Sequence, residues 1–130
     1  MVEYSLVGRK YKDNSYDGES FDCYSLIWYI YKCYGINIPK RMSNYSLRVI
    51  AKKMKQDEGV LWIPIDWKDR RHLDLLFFNT TLHLKTHVGM VIDKTKFIHT
   101  TQETNVIITK NKKSIYLAQL YKVYRWHELV

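Results

Sequence analysis

The sequence predicts an α+β domain in which amino-terminal helices pack on a small, mainly antiparallel sheet of about five to six strands. Two changes along the chain predict it. Between Asp22 and Met54 the apolar residues return at three- and four-residue intervals, the period of helices buried on one face. After Gly59 they gather instead in short β-branched and aromatic runs separated by turn residues. Helices followed by a meander of strands is the α+β pattern. No repeat, low-complexity tract or Pro/Gly/Ser linker interrupts the 130 residues, so one domain over residues 1–130 is expected, with 46% hydrophobic residues to fill its core.

The first helix follows Asp22, whose carboxylate can cap it. Cys23, Leu26, Ile27, Ile30 and Tyr34 form its buried stripe, and Gly35 followed by Pro39 ends it. Cys33 lies in the same helix with no motif around it and reads as core packing. A second helix is expected from about Ser43, with Leu47, Ile50, Ala51 and Met54 on one face and lysines on the other. Then come a short extended stretch from Leu61 to Ile65 and strands at Leu73–Phe78, Val88–Ile92, Phe97–Thr100 and Val106–Thr109. A helical turn near Leu117–Leu120 precedes a last strand, Tyr121–Trp126. Asp93-Lys94-Thr95-Lys96 makes a hairpin turn, which sets the strands bearing His87 and His99 side by side and antiparallel.

A cysteine in the first turn of a helix is placed for chemistry. Unpaired backbone N–H groups and the positive end of the helix dipole favour its thiolate, which makes Cys23 a candidate nucleophile. His87 and His99 supply a candidate base and a candidate orienting group. Strand geometry sets a condition on that pair. Side chains alternate faces, so across a plain two-residue turn two histidines twelve apart would point to opposite sides; a longer loop or a bulge is required if both serve one site.

Taken with their spacing, these residues resemble the NlpC-type cell-wall peptidases, small papain-like cysteine hydrolases with the chain order cysteine, histidine, polar partner. The resemblance rests on Asp22-Cys23, on His87-Val88-Gly89, on Phe97-Ile98-His99, on Val7-Gly8 with Tyr11, and on Asp74-Leu75-Leu76. The family often carries glycine two residues after the cysteine, where this chain has Ser25. It usually carries glycine before the strand aspartate, where this chain has Leu73; the latter implies a different turn into that strand. The resemblance implies a papain-like NlpC-type fold with Cys23 as nucleophile, His87 as base and His99 as its orienting partner. It also implies that Tyr11 helps hold the oxyanion or the substrate, and that Asp22 is the cap beside the nucleophile.

The activity implied is a cysteine endopeptidase that hydrolyses amide bonds in the stem peptides of bacterial peptidoglycan, of the γ-D-glutamyl-diamino-acid type. The flavour of the motif is most like bacteriophage tail-associated members, so other phage tail proteins are possible partners. Alternatives are a structural tail protein with a vestigial site, or an amidase or acyltransferase using the same cysteine and histidine. No cofactor is expected, and no metal, because His72, His83 and His127 lack ligand spacing. A net charge of +8 predicts attraction to polyanions such as nucleic acid, anionic lipid or bacterial wall polymers, and charge alone does not choose among them. Specific nucleic-acid binding is not expected, since the aromatic residues fall among core positions instead of lining one basic strand face. No segment is long and apolar enough for membrane insertion. Met1 to Gly8 does not read as a secretory signal. Synthesis in the cytoplasm, residence in a virion tail and action on the bacterial wall or in the periplasm are the expected locations.

Overall fold

The structure, a computed structural model, describes residues 1–40, 52, 55–80, 85–113 and 115–130. A short helix α1 (Val2–Ser5) precedes the main helix α2 (Cys23–Cys33). Among the described residues six strands follow: β1 (Trp62–Pro64), β2 (Leu75–Thr80), β3 (Lys85–Asp93), β4 (Lys96–Thr101), β5 (Asn105–Lys110) and β6 (Leu120–Trp126). They form one sheet in the order β1-β6-β2-β3-β4-β5, every neighbouring pair antiparallel. This is the α+β architecture that the change of period implies, including the 3₁₀ turn Ile115–Gln119 just ahead of the last strand. The surface helix expected from Ser43 falls on residues 41–51, 53 and 54, outside the described residues.

Helix α2 begins and ends where its sequence dictates. The Asp22 carboxylate accepts from the backbone N–H groups of Tyr24 and Ser25 at 3.0 and 2.8 Å, and Ser25 Oγ accepts from the Asp22 N–H at 2.9 Å, a reciprocal box that satisfies otherwise orphaned donors. At the other end Gly35, at φ 78°, donates to the Lys32 carbonyl and Ile36 to that of Tyr31, a glycine-closed termination.

The sheet buries both faces. Leu26, Ile27, Ile30 and Tyr31 of α2 join Leu75, Phe77, Val88, Met90 and Ile98 in the main core. Alternate residues of the same strands, Leu76, Phe78, Val91, Phe97 and Val123, form a second cluster on the opposite face, where Trp67, Tyr116 and Leu117 pack against it.

Two expectations about α2 need correction. Cys33 is exposed and does not pack in the core, and Tyr34 is 40% exposed. Both stand at the carboxy-terminal end, and Cys33 projects roughly 60° round the helix from Ile30, off the centre of the buried face. Leu73 carries the strain that a glycine would avoid: it takes φ 79°, the left-handed region, while its side chain is buried and its carbonyl accepts the Tyr31 hydroxyl. The next residue, Asp74, is fully buried in a bidentate pair with Arg125, both contacts 2.8 Å, which ties β6 to the entry of β2.

Candidate active site

Cys23 is the first residue of α2, partly exposed and packed against the main core. The chain in front of it is tightly held. Asp22 is buried, and its second carboxylate oxygen accepts from the Asn14 N–H at 2.6 Å. Tyr11 forms an isolated bridge with Phe21, two residues before the cysteine, and its N–H donates to Asn105 Oδ1 at 3.0 Å. Gly8 and Val106 are linked by a backbone hydrogen bond of 2.9 Å. Three sequence candidates, Tyr11, Asp22 and Cys23, thus lie on one braced stretch of backbone.

The two histidines meet. His87 Nε2 and His99 Nδ1 are hydrogen-bonded at 2.8 Å. The cause is a bulge in β3. Met90 pairs with Ile98 and Val91 with Phe97, but the next pair is Asp93 with Lys96, so Ile92 is an extra residue. That one residue changes the parity, and both rings fall on the same face, as a shared site requires. Continued one step, the register sets Gly89 opposite His99. A Cβ on Gly89 would come within 3.1 Å of the Ile98 carbonyl oxygen and 3.4 Å of the His99 Cβ, so a glycine there lets the two strands approach.

The rings face the second cluster. His87 pairs across β2 with Phe78 and lies 5.8 Å from its ring, and Tyr116 closes over both imidazoles at 5.3 and 5.0 Å. Helix α2 lies against β3 and β4 from the other face. The β3–β4 ladder ends at Met90 and Ile98, so both histidines stand just beyond the point where these strands stop pairing.

Burial controls their charge. His87 is pushed down to about 3 by desolvation and secondarily by the charge of His99, and desolvation alone takes His99 to about 4. Both rings are neutral at neutral pH. A neutral imidazole holds one N–H and one lone pair, which lets one ring donate and the other accept across the 2.8 Å contact. Sequence reasoning missed the next group along: His99 Nε2 is 2.9 Å from Thr109 Oγ1 on β5. It also missed Ser25 as half of the capping box, since serine is less familiar there than glutamate or glutamine. Among the described residues no group of three His, Cys, Asp or Glu side chains stands together as a metal site.

Comparison with known proteins bears on the family and the fold. A family model described as the NlpC/P60 family matches residues 2–125. The chain is 30% identical over 125 residues to the gamma-DL-glutamyl hydrolase of Bacillus subtilis (strain 168), a match covering 90% of this chain and 26% of that protein. The chain therefore spans about a quarter of the length of that curated relative. NlpC2 from Trichomonas vaginalis shares the fold with a TM-score of 0.72 at 22% identity, over 96% of this chain and 44% of the other. The NlpC/p60 domain of the peptidoglycan hydrolase SagA does so with a TM-score of 0.62 at 17% identity, over 95% and 92% of the two chains.

Proposed function

Starting from a chain that belongs to the NlpC/P60 family, we propose that it is a cysteine hydrolase of bacterial peptidoglycan that cleaves γ-D-glutamyl amide bonds in the stem peptides. The observation that carries the reading is the bulge-aligned histidine pair, His87 and His99, on the strands against which the Cys23 helix packs. The name of the Bacillus subtilis relative supports the choice of bond.

In this reading His87 Nδ1 takes the Cys23 thiol proton as the sulfur attacks the amide carbonyl. The tetrahedral intermediate collapses when His87 returns that proton to the leaving amine, and the product is a thioester on Cys23. Water, deprotonated by the same ring, then attacks the thioester carbonyl; the C–S bond breaks, the Cys23 sulfur takes the proton back from His87, and the acid is released. His99 accepts from His87 Nε2–H and holds the ring without itself transferring a proton. The low basicity of buried His87 favours proton transfer during attack over a standing thiolate–imidazolium pair, while the helix amino terminus lowers the cost of the developing thiolate. The Cys23 N–H and the Tyr11 hydroxyl are the proposed oxyanion donors. The reading requires the thiol to meet His87 beyond the last β3–β4 ladder pair, Met90 with Ile98. Delivery to the wall by a phage tail is part of the same proposal and rests on the sequence resemblance.

Digestion of purified peptidoglycan by wild type and by Cys23→Ala tests the function, with released fragments identified by mass. Wild type should release peptides cut after γ-D-glutamate, and Cys23→Ala none. Release of intact stem peptides from glycan would instead make the protein an amidase, and release of nothing by folded wild type would refute hydrolysis.

A further inference from the structure

His87, His99 and Thr109 form an unbroken row of hydrogen bonds, 2.8 Å from His87 Nε2 to His99 Nδ1 and 2.9 Å from His99 Nε2 to Thr109 Oγ1. A neutral imidazole nitrogen is either a donor or an acceptor, so the row has two self-consistent arrangements. In one, every proton points toward Thr109: His87 Nε2–H donates to His99 Nδ1, and His99 Nε2–H donates to Thr109 Oγ1. In the other, every proton points back, and His87 carries its hydrogen on Nδ1. Any mixture sets two N–H groups or two lone pairs face to face, with little water to relieve them, since His87 and His99 are only 8% and 2% exposed.

The end of the row selects the arrangement. Thr109 is partly exposed, so its hydroxyl can give its own hydrogen to water and keep a lone pair for His99. Its position is set by the β4–β5 ladder, in which His99 pairs with Ile107 and Phe97 with Thr109, so Thr109 projects from the same face as His99, one diagonal step away. We propose that Thr109 is a positioning residue: by accepting from His99 Nε2–H, its hydroxyl fixes both imidazoles in the tautomers that leave His87 Nδ1 unprotonated. The inference rests on the assignment of His87 as base given above. It adds a third polar group, on a third strand, to the two histidines.

Two measurements on the full chain test it. The ¹⁵N shifts of the histidine rings report tautomers without any need for turnover. Wild type should show His87 and His99 as Nε2–H, and Thr109→Val, which removes the hydroxyl at nearly constant shape, should move His99 toward Nδ1–H. On peptidoglycan peptides Thr109→Val should lower kcat about tenfold, the lower end for losing an orienting partner, with KM within about twofold. Thr109→Ser should restore both the tautomer and the rate. Unchanged tautomers in Thr109→Val, or an equal loss of rate in Thr109→Val and Thr109→Ser, would overturn the proposal. Should wild type fail to cleave while the tautomers shift as stated, the hydrolase reading falls and the positioning role of Thr109 stands.

Discussion

A base that is buried works over a different pH range from one in water. Desolvation holds His87 at about 3 and His99 at about 4, so His87 keeps its lone pair through mildly acidic solution. The acid limb of kcat/KM on a stem-peptide substrate should therefore lie below about pH 5, where an ordinary imidazole would turn the profile down near 6.5. A limb centred at 6.5 would contradict the buried base. The same shift links pH to stability. Between about pH 6.5 and the folded values, the unfolded chain binds protons that the buried rings refuse. Stability is thus undiminished above pH 6.5 and falls on acidification, by about 1.4 kcal/mol per pH unit for each ring in that window. Urea midpoints at pH 7.5 and 5.5 should show the fall, and His99→Gln should show less of it. Cys23, His87 and His99 stood out as candidates because their spacing is distinctive, and the meeting of the two histidines was legible with them. Thr109 was not, because a strand threonine has many ordinary uses and only the β4–β5 register brings it to His99.

Within the elements, parity was the legible part. Alternation of strand side chains demanded a bulge or a longer loop between two cooperating histidines, and the chain supplies the extra residue at Ile92. Which residue would bulge could not be read, because Val91 and Ile92 suit a regular strand equally well. The glycine of His87-Val88-Gly89 gains a physical reason from the same hairpin, since the Cβ of an alanine there would press on the Ile98 carbonyl, a backbone atom unable to swing aside. Gly89→Ala should cost about 1–3 kcal/mol, the range for overpacking, and should reduce kcat beyond the loss of folded protein by pushing His99 away from His87. Chemical denaturation alongside kinetics under fully folded conditions checks both effects. Unaltered kcat would mean that the His87–His99 contact tolerates a wider strand spacing. The capped start of α2 was equally legible from Asp22, whereas the exposure of Cys33 was not, because periodicity does not reveal where a helix outruns the surface that it packs on.

Across the whole molecule, the change from helical period to short β-branched and aromatic runs was enough to give a mainly antiparallel α+β chain. The strand order β1-β6-β2-β3-β4-β5 was beyond it, because placing β6 between β1 and β2 depends on long-range pairing secured by the Asp74–Arg125 contact. The +8 charge is a property at this scale too. Sedimentation with purified walls should weaken as salt rises beyond the range in which the Debye length is about 8 Å, and salt-independent binding would point to a specific pocket instead. The central claim, that Cys23 is a nucleophile served by His87, is met most directly by intact-protein mass after exposure to a γ-glutamyl peptide bearing a thiol-reactive ketone. Exposed Cys33 serves as the unassisted control within the same chain. One adduct on Cys23, formed far more slowly in folded His87→Ala and absent in Cys23→Ser, is the predicted result. Preferential labelling of Cys33, or a Cys23 rate indifferent to the loss of His87, would contradict it.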